Sequence, residues 1–190
     1  MRITWMRLFF MGAFSVASCL ELRTQEVIHA LTGVVTFVDR TTKSIGVQTS
    51  EGGQSVFSYA NQPQDTIAFD KNIRAGAIEP DVYNKVSDHV IVYFYGGYDQ
   101  RTVVAIRDLG KVPLQISAGT VINGNRKHHT LEIKTEAGVS ESYQIAKDAS
   151  IETPEGVIGG LNFDPMRNSR IIVKYSGTAE NRVAEFVREY

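Results

Sequence analysis

Histidine is the residue type in this chain best suited to metal binding or acid–base chemistry, and its four copies are scattered. They are His29, His89, His128 and His129, with no His-x-x-x-His pair among them. A structural zinc site needs four ligands at about 2.0–2.3 Å, and no spacing here nominates such a set. His128 and His129 are neighbours, so on an extended strand their side chains point to opposite faces. We therefore predict no metal site and no cofactor.

Motifs for nucleophilic or phosphate chemistry are also missing from the sequence. It contains no Gly-x-Ser-x-Gly, no Gly-rich loop that opens a helix and no His-Glu-x-x-His. Carboxylates such as Glu132 and Glu141 occur singly on predicted strands, where alternation turns them toward water. Cys19 is the only cysteine, so the rest of the chain offers no thiol nucleophile. We therefore predict a protein without catalytic residues, and not an enzyme.

Tyrosines supply the candidate interaction surface. Tyr93 and Tyr95 alternate with Val92 and Phe94 along a predicted strand, and Tyr98 follows just beyond it. Tyrosine is large, stiff and amphipathic, which suits a protein–protein interface. An alternative is that these side chains pack against the other half of the chain or reflect β propensity alone. We take Tyr93, Tyr95 and Tyr98 as the candidate partner-binding residues.

The N-terminal segment differs in composition from the rest of the chain. Arg2 and Arg7 precede an apolar run over residues 8–20, and the next charged residue is Glu21. A basic start, a short apolar core and small residues are typical of a secretory signal. A helix of this length rises about 20 Å, less than the ~30 Å hydrocarbon core of a bilayer. A cleaved signal is therefore favoured, and an uncleaved anchor is the alternative.

The end of this run resembles the signal of bacterial lipoproteins. Residues 16–19 read Val-Ala-Ser-Cys, an aliphatic residue and two small residues before the cysteine. The resemblance implies cleavage before Cys19 and lipidation of its thiol. A lone cysteine forms no internal disulfide, and lipidation would account for it in an exported chain. An ordinary signal cleaved nearby is the alternative. Both interpretations place the protein outside the cytoplasm, and the first anchors it by lipid on the periplasmic side of a bacterial membrane.

The overall composition is that of a globular protein without an affinity for polyanions. Hydrophobic residues make up 43% of the 190 residues and charged residues 22%, which argues against wholesale disorder. The 20 basic and 21 acidic residues leave a net charge of −1. Because nucleic-acid binding depends on neutralising phosphates, we predict no nucleic-acid partner.

After the signal, the sequence repeats itself. Residues 33–35 (Gly-Val-Val) recur 86 positions later as residues 119–121 (Gly-Thr-Val), and residues 89–96 recur 81 positions later as residues 170–177. The first copy therefore holds extra residues between its matching segments. A repeat of about 80 residues suits a duplicated small domain rather than a solenoid unit.

Each copy has the pattern of a small β domain. Residues 45–49 and 131–135 alternate apolar with small or polar residues, which indicates strands with one buried face. No sustained 3.6-residue period follows residue 32, and only short helical turns are expected, around residues 77–83 and 157–163. About five strands per copy can close a small barrel. The predicted domains are residues 1–19 as signal or anchor, 20–110 as the first β-barrel and 111–190 as the second.

This pattern resembles the small OB-like β-barrel domains of unknown function that occur, often in tandem, in bacterial envelope proteins. Their elements are a Gly-x-Val opening strand, an aliphatic second strand, and a Val-x-Val strand followed by Gly and a final strand. These elements fall at residues 33–35, 45–47, 90–96 and 103 onward, and again at residues 119–121, 131–133, 171–177 and 183 onward. The resemblance implies an all-β fold of two five-stranded OB-like barrels in tandem, and no activity.

Together these observations predict a non-catalytic, extracytoplasmic, membrane-anchored binding or scaffold protein, a lipoprotein with a protein partner in the envelope. The alternative is an accessory structural subunit of a larger membrane protein complex, docked on its extracytoplasmic face through the tyrosine-bearing strand. An enzyme would instead show a cleft between the barrels lined by clustered Asp, Glu or His.

Overall fold

The structure is a computed structural model that describes residues 26–60, 70–97 and 100–190. Over these residues the fold is all-β, apart from one short α-helix and one turn of 3-10 helix. Within this part of the chain, no helix has the length and apolar character that crossing a membrane requires. The predicted signal segment with Cys19 and the candidate residue Tyr98 lie outside the described residues.

The first sheet is a closed five-stranded barrel. Its strands are β1 (His29–Asp39), β2 (Ser44–Thr49), β3 (Gln54–Ser58), β4 (His89–Tyr95) and β5 (Thr102–Gly110). They follow the order β1-β2-β3-β5-β4, and β4 closes the ring by pairing antiparallel with both β1 and β5. Strand β3 meets β5 in parallel where Ser58 lies opposite Thr102. This confirms the all-β fold class and a closed five-stranded barrel.

Alternation along the strands fills the interior of this barrel. Ile45 and Val47 of β2 point inward and are at most 1% exposed, and Val90 and Val92 of β4 are fully buried beside them. Phe57 of β3 is fully buried in the same cluster. The apolar positions therefore meet because side chains two residues apart share a face of a strand.

The second sheet has six strands. They are β6 (Gln115–Asn125), β7 (Thr130–Thr135), β8 (Ser140–Thr153), β9 (Gly156–Gly159), β10 (Arg170–Thr178) and β11 (Asn181–Glu189). Their order is β11-β10-β6-β7-β8-β9, and β8 also pairs in parallel with β11. Leu131, Ile133 and Val173 lie in its core and are at most 1% exposed.

Strand pairs of the second sheet follow those of the first at matching positions. Gly33 lies opposite Thr49 in the first sheet, and Gly119 lies opposite Thr135 in the second. The parallel contact of β3 with β5 has its counterpart between β8 and β11, where Gln144 lies opposite Val183. Each first strand also carries a bulge, after Val35 in β1 and after Val121 in β6.

The final strands match at the same spacing of 81 residues as the strands before them, one residue later than a pairing of position 103 with position 183. Val103 lies opposite Phe94 in the first sheet, and Ala184 lies opposite Tyr175 in the second. Val103 and Ala184 are both fully buried. Ala184, rather than Val183, therefore occupies the place of Val103.

Helical structure differs from the sequence-based expectation. The α-helix α1 spans Lys71–Ala75, and the carboxylate of Asp70 caps it by accepting from the backbone N–H groups of Asn72 and Ile73. The helical turn expected around residues 77–83 is wrong, because Ile78 instead forms an antiparallel β-bridge with Ile106 of β5. The helical turn expected around residues 157–163 is confirmed by a 3-10 helix at Gly160–Asn162, directly after β9.

An apolar cluster joins the two sheets, and we call this contact the junction. It comprises Ile28, Ala30, Ile73, Ile91, Tyr93, Ala105 and Phe186. Ile91 and Tyr93 lie on the face of β4 that points away from the barrel interior, and both are fully buried. Strand β4 is thus covered on both faces. Tyr93 therefore faces outward from the barrel but packs against the second sheet, which is the alternative that the sequence left open.

Candidate functional site

The three tyrosines predicted to bind a partner do not form one surface in the described structure. The Tyr93 hydroxyl lies 2.6 Å from the Ser150 Oγ of β8, in a buried hydrogen bond across the junction. Burial raises the pKa of Tyr93 to about 12, although this hydrogen bond and the nearby Arg107 oppose the rise. Tyr95 is half-buried at the end of β4, and Tyr98 lies outside the described residues. Partner binding through Tyr95 and Tyr98 stays a prediction.

The histidines singled out in the sequence occupy separate places. His128 and His129 lie in the turn between β6 and β7, where His129 has a positive φ of 51°. His89 begins β4 and lies opposite Gly110. Among the described residues, no group of three or more His, Cys, Asp or Glu is placed to hold a metal ion.

Arg107 of β5 forms polar contacts with the second sheet on one side of the junction. Its guanidinium donates to the backbone carbonyl of Asp148 at 2.7 Å and to the Glu185 carboxylate at 2.8 Å. It also lies 3.0 Å from the Asp148 carboxylate. The Arg107 side chain is only 12% exposed, so two carboxylates compensate the charge where water is largely excluded.

Arg188 of β11 makes the reciprocal contact on the other side. It pairs with the Glu51 carboxylate and reaches the Ala30 carbonyl at 3.5 Å. Arg107 and Arg188 hold matching positions, since β4 with β5 and β10 with β11 pair in the same register. Each sheet therefore sends an arginine from its last strand toward the other sheet.

His29 and Glu152 form a polar pair at the same end of the junction. The His29 Nδ1 lies 2.7 Å from one Glu152 oxygen, and the Ala30 backbone N–H donates to the other at 2.6 Å. Burial raises the pKa of the Glu152 carboxyl, and the hydrogen bonds from His29 and Ala30 partly offset this. The Glu152 carboxylate of β8 thus holds both the side chain of His29 and the backbone of Ala30 in β1.

These groups line a cleft of about 530 Å³ between the sheets, which we call the junction cleft. Its walls include His29, Glu51, Phe94, Arg101, Glu152 and Arg188. The Arg101 guanidinium lies 5.2 Å from the centroid of the Phe94 ring and donates to the Ser55 hydroxyl at 3.0 Å. The cleft therefore combines an aromatic–guanidinium wall with opposed charged pairs, a lining suited to binding a small polar molecule.

Sequence reasoning missed the junction cleft, because its walls come from distant parts of the chain. His29 and Glu152 are 123 residues apart, and no local motif links them. Two carboxylates and a histidine do line a cleft between the sheets, but each carboxylate is already paired, Glu51 with Arg188 and Glu152 with His29. Carboxylates held in such pairs are better suited to orient a bound ligand than to act as nucleophiles.

The chain matches no protein-family model and no curated protein. Its class therefore rests on the features described above: an all-β protein with a closed five-stranded barrel, a second sheet, and a polar cleft where the two meet.

Proposed function

We propose that this protein is a non-catalytic, extracytoplasmic binding or scaffold protein, lipidated at Cys19, whose two OB-like modules act as one rigid body. The junction is the observation that carries this proposal. Its apolar cluster, the hydrogen bond between Tyr93 and Ser150, and the contacts of Arg107 and Arg188 hold the two sheets against each other. A fixed geometry of this kind suits a scaffold that presents a single cleft.

Matching strand pairs support two modules of one origin. The ring β6-β7-β8-β11-β10 repeats the pairing order of the closed barrel β1-β2-β3-β5-β4, including one parallel contact in each. Strand β9 then adds to the outside of the second ring by pairing with the second half of β8. On this basis we interpret the second sheet as a second OB-like barrel that carries an extra strand.

A short tether supports a position close to the membrane. Ile28 is 5% exposed and is the first buried residue of the junction in chain order. Eight residues lie between it and Cys19, and the nine Cα–Cα steps of this extended segment span at most about 32 Å. A lipid on Cys19 would therefore hold the junction within that distance of the bilayer surface.

The experiment compares Cys19→Ser with Ser18→Ala, which keeps a small residue before the cysteine. We expect Cys19→Ser to leave the membrane fraction and Ser18→Ala to stay in it. The intact mass of the membrane-extracted protein should match a chain that begins at Cys19 and carries acyl groups. Membrane retention of Cys19→Ser with an unprocessed mass would contradict lipid anchoring and favour an uncleaved anchor.

The alternative, an accessory subunit of a membrane complex, depends on a surface other than Tyr93. Tyr95 is the last residue of β4, three positions before Tyr98 in the sequence. Crosslinking in native membranes should then yield one stoichiometric partner, and Tyr95→Ala with Tyr98→Ala should abolish that product. A product that persists in the double variant would contradict docking through these tyrosines.

A further inference from the structure

Lys174 of β10 is a buried amine at the junction without a carboxylate partner. The residue is 7% exposed, and its Nζ donates to the hydroxyls of Thr32 and Ser50 in the first sheet. Over residues 26–60, 70–97 and 100–190, no carboxylate oxygen lies within 4.0 Å of this Nζ. A buried ammonium without a counter-ion is costly, so its presence at this position calls for a reason.

Hydrogen bonding alone does not supply that reason. The Thr32 and Ser50 hydroxyls lie 3.1 Å apart and bond to each other, so neither needs the ammonium as a partner. The matching position in the first sheet is Tyr93, which crosses the junction as a neutral side chain. A neutral side chain is therefore sufficient to cross the junction and bond to a hydroxyl of the other sheet. Packing and hydrogen bonding do not by themselves require an amine at position 174.

The surroundings of Lys174 favour its neutral form. Burial is the largest cause and, with the Arg188 charge, lowers the pKa of Lys174 to about 8, while Glu51 acts in the opposite direction. The Phe186 ring centroid lies 5.5 Å from Nζ, and His89 lines the adjoining pocket. A substantial share of neutral amine is therefore present near pH 8, and a neutral desolvated amine is a nucleophile.

A small apolar pocket adjoins this amine. It has a volume of about 200 Å³, is partly open to solvent, and is lined by Lys174, Thr32 and Ser50 together with aliphatic side chains. The aliphatic walls are Val34, Leu109, Pro113, Leu114 and Ile116. At ~30 Å³ per water-sized group, the pocket holds roughly six or seven such groups.

We propose that Lys174 binds small aliphatic aldehydes as reversible imines in this pocket. The pocket walls would hold the hydrocarbon chain, and the carbonyl carbon would lie against Nζ. This goes beyond the proposed scaffold function and does not depend on the membrane anchor.

The step needs no other reactant. The amine lone pair attacks the carbonyl carbon, an N–C bond forms, and the C=O π electrons move to oxygen. The proton lost by nitrogen reaches that oxygen, a transfer for which the Thr32 and Ser50 hydroxyls lie beside Nζ. In the resulting carbinolamine the nitrogen lone pair forms the C=N bond as the C–O bond breaks, and the remaining N–H proton passes to the departing hydroxyl, which leaves as water. One amine and one aldehyde thus give one imine and one water.

The test incubates the full chain with butanal and sodium cyanoborohydride, which reduces an imine to a stable secondary amine. Intact mass and peptide mapping then locate the adduct. We expect one dominant adduct, at Lys174, with a rate about 15-fold lower at pH 6.5 than at pH 8 because the neutral fraction falls. Modification spread over exposed lysines such as Lys147, with Lys174 unmodified, would overturn the proposal.

Three variants separate reactivity from folding. Lys174→Arg keeps a cation at the junction and should lose the dominant adduct, whereas Lys147→Arg at an exposed position should keep it. Leu114→Trp leaves the amine in place but fills the pocket, and we expect at least tenfold slower modification at Lys174. Equal rates in Leu114→Trp and the unmodified chain would show that the pocket takes no part.

Discussion

Positions 93 and 174 are equivalent in the two sheets, yet one holds a tyrosine and the other a lysine. Tyr93 and Lys174 both cross the junction from matching strands, and both end on hydroxyl groups of the other sheet. The tyrosine is neutral throughout the physiological range, because burial raises its pKa. The lysine must lose a proton to become neutral.

Removing the Tyr93 hydroxyl should cost less than removing the ring. Tyr93→Phe deletes the hydrogen bond with Ser150 and should lower the free energy of unfolding by about 1–2 kcal/mol. Tyr93→Ala also empties the space of a fully buried ring and should cost about 3–5 kcal/mol. Urea unfolding measures both, with Tyr190→Phe at a residue that is 65% exposed as the control. Equal losses in Tyr93→Phe and Tyr93→Ala would contradict the packing role of the ring.

Lys174 should make stability depend on pH in a defined direction. Its folded pKa of about 8 lies below its ordinary value of 10.5, so the unfolded chain binds more protons between these values. Stability from this group therefore rises as pH increases from about 8 to 10.5, and is lowest below pH 8. Lys174→Met should be at least as stable as the parent at pH 7. That advantage should shrink by at most about 3 kcal/mol toward pH 10.5.

Chemical denaturation at several pH values checks this prediction. Lys147→Met, which removes an exposed lysine, serves as the control and should show no comparable trend. A stability difference between Lys174→Met and the parent that stays constant from pH 7 to pH 10 would contradict the burial of a charged amine.

At the scale of single elements, the alternation of apolar and polar residues predicted the strands of hairpins, where each strand pairs with the next one along the chain. The hairpin of β1 with β2 and that of β6 with β7 follow from apolar alternation and turn residues. Strand β4 was harder, because residues 89–95 are apolar on both faces and period two does not say what covers the second face. The short helix α1 has no periodic signal in five residues and depends on contacts of Asp70.

Asp70 links α1 to the second sheet, which makes its replacement informative. Its carboxylate caps the helix and also accepts from Asn162 Nδ2 at 2.9 Å and from the Gly159 N–H at 3.3 Å. Asp70→Ala should lower the free energy of unfolding by about 1–2 kcal/mol. Asp81→Ala, in an exposed turn, should change it by less than about 0.5 kcal/mol. Thermal unfolding of the two variants compares them, and equal stability would contradict the capping role.

Two glycines end matching strands in a conformation that other residues rarely adopt. Gly96 and Gly177 both have a φ of +94°, and an added Cβ would overlap the carbonyl oxygens of Gln100 and Asn181. Gly96→Ala and Gly177→Ala should each cost about 1–3 kcal/mol. Gly97→Ala is the matched control, because an added Cβ there meets nothing within 4 Å. A loss as large in Gly97→Ala would argue against strain as the cause.

At the scale of the whole molecule, the sequence repeat predicted how strands pair within each half but not how the halves meet. Matching positions 33 with 119 and 90 with 171 fall in equivalent pairs of the two sheets. The junction, however, is built where the copies differ, with Tyr93 against Ser150 and Lys174 against Thr32. A comparison of two copies identifies such differences without saying which surfaces they bring together.

If the junction makes the sheets one cooperative unit, the described body should unfold in a single transition. Phe186 is 1% exposed at the centre of the apolar cluster, so Phe186→Ala removes contacts from both sheets at once. We expect the variant to lose about 3–5 kcal/mol and to show two calorimetric transitions. Tyr190→Ala, at a residue that is 65% exposed, should keep one. A single transition in Phe186→Ala would contradict coupling through this cluster.

The covered second face of β4 also bears on how the chain folds during synthesis. A polypeptide that emerges N-terminus first completes β4 and β5 long before β11 appears, and Phe186, which covers Ile91 and Tyr93, lies in that last strand. Until then the first barrel of the nascent chain exposes the apolar face of β4 to solvent. Partly folded chains with exposed apolar surface are prone to aggregate. Slow translation of the final strand would prolong this exposure, and a holding chaperone would matter most in that interval.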